Sequence, residues 1–156
     1  MTSFTDDAVT SDGRHSLDRL RRFTAEVGLT TRAPHIRPQN PRPQHWLNNS
    51  IGRSGFGLNI TANTRDERLG VELWIPGLEA KKHFANLSDQ KKEIESKLGF
   101  ELDWQELPEA QACRIATWYP NASIENESRW DEYLEWLTQR LVKMDQVLRP
   151  IVRALP

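Results

Sequence analysis

Residues 41–75 read PRPQHWLNNSIGRSGFGLNITANTRDERLGVELWI, and no other stretch restricts the fold as tightly. From Phe56 onward apolar and polar residues alternate with the period of two that a half-buried β-strand requires. Phe56, Leu58, Ile60 and Ala62 fall on one side and Gly57, Asn59, Thr61 and Asn63 on the other. After the break Thr64-Arg65-Asp66, residues Leu69, Val71, Leu73 and Ile75 alternate with Gly70, Glu72 and Trp74. A first strand sets Leu47 and Ile51 against Asn48 and Ser50 and ends at Gly52-Arg53-Ser54-Gly55. Connections this short force antiparallel neighbours. The pattern predicts a three-strand meander with one buried face and one open face bearing Asn48, Ser50, Asn59, Thr61 and Glu72.

Helical spacing flanks the meander. Leu17, Leu20, Phe23, Thr24 and Val27 predict a helix over 13–27, stopped by Gly28. Residues 1–12 read as a disordered tail, and Pro34, Pro38, Pro41 and Pro43 make 29–44 an extended connector. Beyond Pro76-Gly77, Leu78, Phe84, Leu87, Ile94 and Leu98 supply the buried stripe of a helix over 78–98, with Ser88-Asp89 as an alternative second start. A fourth strand over 100–106 and a fifth over 113–118 follow. The last helix, over 129–148, carries the seam Trp130, Leu134, Leu137, Leu141, Met144 and Leu148, with Pro150 interrupting or kinking it. The order α-β-β-β-α-β-β-α describes an α+β two-layer sandwich: three helices on a five-stranded, mostly antiparallel sheet, in one domain over 13–156.

Composition narrows the classes of function. A chain of 156 residues suits one core. One cysteine, Cys113, excludes an internal disulfide and a cysteine-cluster metal site. There is no apolar run of about 20 residues and no basic-then-apolar leader, so no membrane role is expected and the cytoplasm is. The net charge of −1 hides an asymmetry: residues 13–53 hold eight arginines and no lysine against Asp18 and Glu26, a net of +6. Arginines suit planar, bidentate contacts to phosphate or carboxylate. Either they pair with the acidic C-terminal half, or Arg19, Arg22 and Arg42, with His45, Trp46 and Trp136, meet nucleic acid or a protein partner. Trp136 lies off the seam and is expected to be exposed.

No catalytic set accompanies these features. A metal-dependent nuclease needs an Asp followed by Glu-x-Lys, whereas Glu72 precedes Leu73-Trp74. His15, His35, His45 and His83 are scattered, without zinc-ligand spacing, and no metal or cofactor is expected. The loop Gly52-Arg53-Ser54-Gly55 can hold an anion or simply turn a hairpin, and it matches no Walker loop. Arg114 shares the outward parity of Glu72 and is its expected ion-pair partner. Trp74, Trp118 and Tyr119 are either stacking platforms or core aromatics. The candidate ligand set is Asn48, Ser50, Arg53, Ser54, Asn59, Thr61, Glu72, Gln105 and Arg114.

The blocks 41–46 (PRPQHW), 50–56 (SIGRSGF), Asn63-Thr64-Arg65, Gly70-Val71-Glu72-Leu73, 104–108 (WQELP) and Leu148-Arg149-Pro150 resemble the bacterial family called domain of unknown function 4268. The likeness spans residues 14 to about 155. The resemblance implies a module often placed behind a restriction-endonuclease-like domain, without an established activity. Read as it stands, this sequence has no upstream domain, so the nuclease role is not expected to carry over. Asn49, a polar residue on the inward side of the first strand, also departs from the pattern. The expected function is a non-catalytic binding module of a bacterial defence or nucleic-acid-processing system. Its partner would be a nuclease or other defence protein or an anionic ligand such as nucleic acid, and homodimerisation is a further option. The alternative is a small enzyme or ligand sensor with a polar pocket around Glu72 and Arg53.

Overall fold

Alternation becomes strand wherever one side chain in two can reach a common core. The computed structural model of the protein describes Arg22, residues 46–63 and residues 66–156. The expected tail, proline connector and first helix lie outside the described residues apart from Arg22, as do Thr64 and Arg65. β1 (Trp46–Asn49), β2 (Gly57–Asn63) and β3 (Arg68–Pro76) form the meander. α1 (Ala80–Ser88) and α2 (Lys91–Leu98) follow, then β4 (Asp103–Gln105), β5 (Ala112–Tyr119) and α3 (Trp130–Arg153). The class is α+β, and the sheet is antiparallel in the order β1-β2-β3-β5-β4. Because β5 lies antiparallel to both β3 and β4, β3 and β4 run parallel. Parallel strands need a crossover, and α1 and α2 provide it.

All described helices cover one sheet face. Leu58, Leu73 and Ile115 align across β2, β3 and β5 and are fully buried with Leu87, Ile94, Leu137, Leu141 and Leu148 from the helices. Truncating such a residue to alanine typically costs about 2–5 kcal/mol. The seam of α3 runs through Leu134, Leu137, Leu141, Met144 and Leu148 as its spacing predicts, then continues to Val152. Trp130 sits half-buried at the rim, its indole donating to the Ile124 carbonyl at 2.7 Å.

Four sequence expectations need correction. The helix expected over 78–98 breaks at Asp89-Gln90, where Gln90 N–H bonds to the Leu87 carbonyl, one residue short of the α-helical partner. Leu78, placed in the buried stripe, precedes α1 and is 87% exposed. β4 is shorter than 100–106 because Leu102 N–H donates to the Glu95 carboxylate of α2 at 2.7 Å, away from the sheet ladder. Burial raises the Glu95 pKa, but that hydrogen bond and one from the Trp104 indole outweigh it, and the net shift is downward. Finally, α3 runs past Pro150 to Arg153. The proline forfeits the bond to the Gln146 carbonyl, yet Ala154 N–H still reaches the Pro150 carbonyl at 3.2 Å.

The last turn persists because the first hairpin holds it. Arg53 Nη1 donates to the carbonyls of Val152 (3.1 Å) and Leu155 (2.7 Å), and Nη2 to that of Pro156 (3.4 Å). The Val152 carbonyl lies in the last turn of α3, where it also accepts from Leu155 N–H, and the other two lie just past the helix. From the helix side Arg149, ion-paired with the buried Asp145 at 2.7 Å, donates to the Ser50 carbonyl at 3.2 Å. Gly52 sits between, at φ +87°. The conformation requires glycine, and a Cβ there, 2.9 Å from Arg149 Nη1 and 3.1 Å from Arg153 Cδ, would push those side chains aside. On the other side of the helix layer, Lys81 donates to the carbonyls of Glu106, Leu107 (2.8 Å) and Ala112 (3.0 Å), gathering the β4–β5 connection.

Arg53→Ala is expected to lower the unfolding free energy by about 2 kcal/mol, the range for losing charge-assisted hydrogen bonds to part-buried carbonyls. Amide exchange at Ala154 and Leu155 should accelerate well before that of β3. Unchanged exchange at those two amides would refute the capping role.

Candidate functional site

Sheet pairing brings every second residue of four strands onto the face opposite the helices. One row runs Gly57–Trp74–Arg114–Gln105, the next Asn59–Glu72–Ala116–Asp103, and a third Thr61–Gly70–Trp118. The backbone register also sets Asn48 opposite Asn59 and Trp46 opposite Thr61. The polar residues therefore share one face, and Asn59 and Glu72, both buried, are direct cross-strand neighbours.

At its centre lies a buried ion pair. Arg114 Nε is 3.0 Å from Glu72 Oε1, and Glu72 is only 6% exposed. Burial pushes the Glu72 pKa above its usual value, partly offset by the Arg114 charge and by a hydrogen bond from Asn59. Arg114 Nη1 also donates to Gln105 Oε1 at 3.4 Å. Asp103 accepts from the Gln105 amide at 2.5 Å and from the Trp118 indole at 2.9 Å.

Above this network the long side chains interleave. Trp118 lies flat on Gly70, where an added Cβ would meet ring atoms at 2.5 Å. Arg68 stacks on the Trp118 ring at 3.7 Å, and Arg114 stands 6.0 Å from that ring and 5.8 Å from the Trp74 ring. The result is a ladder, Arg68–Trp118–Arg114–Trp74, of alternating guanidinium and indole planes. Among the described residues no carboxylate lies within ion-pairing distance of Arg68. The sequence reading missed Arg68 and Asp103. Extending the parity of Gly70, Glu72 and Trp74 back by one step would have found Arg68.

The remaining candidates divide. Ser50, Arg53, Ser54, Gly57, Asn59 and Trp74 line a groove at one end of the face, whereas Glu72, Gln105 and Arg114 belong to the ladder. Asn59 is shared by both. Thr61 is half-buried, and its hydroxyl has no hydrogen-bond partner among the described residues. The Arg53 guanidinium is engaged by the C-terminal carbonyls. Arg22 pairs bidentately with Glu127 at 3.0 Å and covers Trp130. Trp136 packs edge-on against Tyr119 at 5.2 Å and beside Arg140, half-buried where exposure was expected. The Tyr119 side chain, at the end of β5, packs against Tyr133 of the helix layer. Arg19, Arg42 and His45 lie outside the described residues.

Among the described residues no group of three His, Cys, Asp or Glu side chains could hold a metal ion. None of their helices is long and apolar enough to cross a membrane. Cys113 is buried, its thiol directed at the Glu106 carbonyl at 3.2 Å, and burial raises its pKa.

A family model described as "Domain of unknown function (DUF4268)" matches residues 21–152. Comparison with curated proteins gives no match. Among solved structures, a chain of "Crystal Structure of the ExsC-ExsE Complex" is similar at 11% identity, over 80% of this chain and 92% of that one. The TM-score is 0.30, too low to support an argument.

The raised Glu72 pKa has a definite sign. Near pH 4.5 and above, the unfolded carboxyl ionises while the folded one still holds its proton, so Glu72 costs stability as pH climbs through its folded value. Glu72→Gln carries no such cost. In urea unfolding across pH 4 to 8, the stability of Glu72→Gln relative to the parent should rise with pH and then level off. A pH-independent difference would contradict the assignment.

Proposed function

The chain belongs to the DUF4268 family, and from the face just described we propose that it is a non-catalytic recognition module for an anionic partner carrying planar groups. Single-stranded nucleic acid has that chemistry. The single observation that carries the reading is the Arg68–Trp118–Arg114–Trp74 ladder on a sheet face that no described helix covers. Stacking on Trp118 holds the Arg68 guanidinium plane, and the Glu72 ion pair holds Arg114, while the N–H edges of Arg68 are left to meet phosphate or carboxylate. The half-buried Trp74 ring beside Arg114 offers a face on which a base can stack, at about 1–3 kcal/mol.

Charge is balanced within the face, Glu72 and Asp103 against Arg68 and Arg114. Affinity would then come from stacking and from Arg68, and only modestly from long-range attraction. We take the cytoplasm as the setting, where a nuclease-bearing or other defence protein would supply or share the nucleic acid. That setting rests on the family resemblance and on the lone cysteine.

A second reading, a small-ligand sensor, has one observation of its own. A groove at one end of the face is lined by Ser50, Arg53, Ser54 and Asn59 beside Trp74.

Fluorescence anisotropy with short labelled DNA and RNA single strands tests the first reading. Binding should weaken with salt, and Arg68→Ala should weaken it about tenfold while lowering the salt dependence by about one ion. Binding that is absent, or identical in Arg68→Ala, would reject the ladder as the contact surface.

A further inference from the structure

Several cations of the helix layer have an acidic neighbour. Arg149 pairs with Asp145, Arg129 with Glu132 and Lys97 with Glu93. Arg140, in the middle of α3, does not. Its helical neighbours three and four residues away are Trp136, Leu137, Lys143 and Met144, and those of Lys143 are Gln139, Arg140, Gln146 and Val147. None is acidic. Among the described residues no carboxylate lies within ion-pairing distance of either cation.

Arg140 is held in place by other means. Its guanidinium lies 3.7 Å from the centre of the Phe100 ring and 5.2 Å from that of Trp136. Nη1 donates to the buried Thr117 hydroxyl at 3.1 Å. Burial pushes the Arg140 pKa down, the response of a cation taken partly out of water without a counter-charge. Nε and Nη2 have no hydrogen-bond partner among the described residues, and neither is sealed from solvent. Stacking thus fixes a guanidinium whose remaining donors can be reached.

The same flank of α3 continues as an apolar groove. Trp136, Arg140, Lys143, Val147 and Ile151 recur in steps of four, three, four and four, and all are half-buried. Val147 and Ile151, with Leu155, line a groove of about 460 Å³, and Lys97 of α2 lines it from the other side. No acidic side chain borders it. From Arg140 to Ile151 the flank runs about 16 Å at the helical rise of 1.5 Å per residue.

The two halves together restrict the occupant. Guanidinium donors suit a planar carboxylate, and a phosphate chain gains nothing from the apolar half. An acidic amphipathic helix satisfies both, and the flank matches about three of its turns. We propose that this flank of α3 docks an acidic amphipathic helix of a protein partner, with one carboxylate on Arg140, a second near Lys143 and apolar side chains in the groove between α2 and α3. The surface belongs to the helix layer, on the opposite side of the sheet from the Arg68–Trp118 ladder. The inference therefore goes beyond the recognition reading and stands without it.

Fluorescence anisotropy tests the surface with a labelled peptide of about three helical turns built from Glu, Leu and Ala, Leu along one face and Glu beside it. The peptide should bind saturably and shift the Arg140 Nε–H signal in the spectrum of 15N-labelled protein. A counterpart with Gln for every Glu should bind about tenfold more weakly, the size of one lost charge-assisted hydrogen bond. Arg140→Met and Lys143→Glu should each weaken the Glu peptide by a similar factor. Lys143 has no ion pair to lose, so its variant serves if Arg140→Met folds poorly. Arg68→Ala, which tests the ladder, should leave peptide binding unaltered. No saturable binding, equal binding of the Gln counterpart, or binding indifferent to both flank variants overturns the proposal. A single-stranded oligonucleotide that shifts the Arg140 signal where the peptide does not would overturn it too, in favour of a phosphate surface. So would a dimer of the chain that Lys143→Glu dissociates in the absence of any peptide binding, since the occupant would then be a second copy.

Discussion

The clasp between the first hairpin and the end of the last helix governs the rest of the architecture. Arg53 reaches across 99 to 103 residues of sequence to the carbonyls at 152, 155 and 156, and Arg149 returns the contact to Ser50. Meander and helix layer are otherwise joined by apolar contacts, which favour proximity without dictating an angle. Directed charge-assisted bonds at a helix end supply that angle. They also explain how α3 outlasts its proline. The clasp sets the position of Gly55, Phe56 and Gly57, and so the mouth of the groove. A site on the free face thus depends on contacts made behind it.

The free face and the core face are built on opposite physical terms. Behind the sheet, methyl groups and rings exclude water without orientation. In front, Glu72 is desolvated and tolerated because Arg114 and Asn59 answer it, while Arg68 and Trp118 stack on the same face. Such a pair contributes little net stability. What it does supply is a defined orientation for Asn59 and Arg114, since each must point at the carboxylate. Orientation at a polar face is what recognition requires.

Much of this was legible in the chain because period-two alternation carries both strand and face. Leu58, Ile60, Val71 and Leu73 had to share a side, which put Asn59 opposite Glu72 and made Arg114 the natural partner. The α3 seam was equally plain. What stayed hidden depended on contacts distant in sequence. Nothing local to Arg53 announces that its acceptors are helix-end carbonyls, so it read as a ligand residue. Leu78 fits the helical period, but the chain is still turning there and the residue faces water. The strand expected at Phe100 is pre-empted by Glu95, a competition invisible to alternation. Trp136 looked exposed because Tyr119, which covers it, comes from another element. The Arg68–Trp118 stack was missed for the same reason, since only pairing of β3 with β5 brings those residues together.

One consequence of the strand order concerns the growing chain. β3, with Val71, Leu73 and Ile75, borders β2 on one side, but its other neighbour is β5 rather than the next strand made. About forty residues, including the whole crossover, must be synthesised before that edge can be closed. Until then an apolar strand presents unmet N–H and C=O groups to any other nascent copy. The edge is closed by the β4–β5 hairpin, whose connection Lys81 gathers from α1.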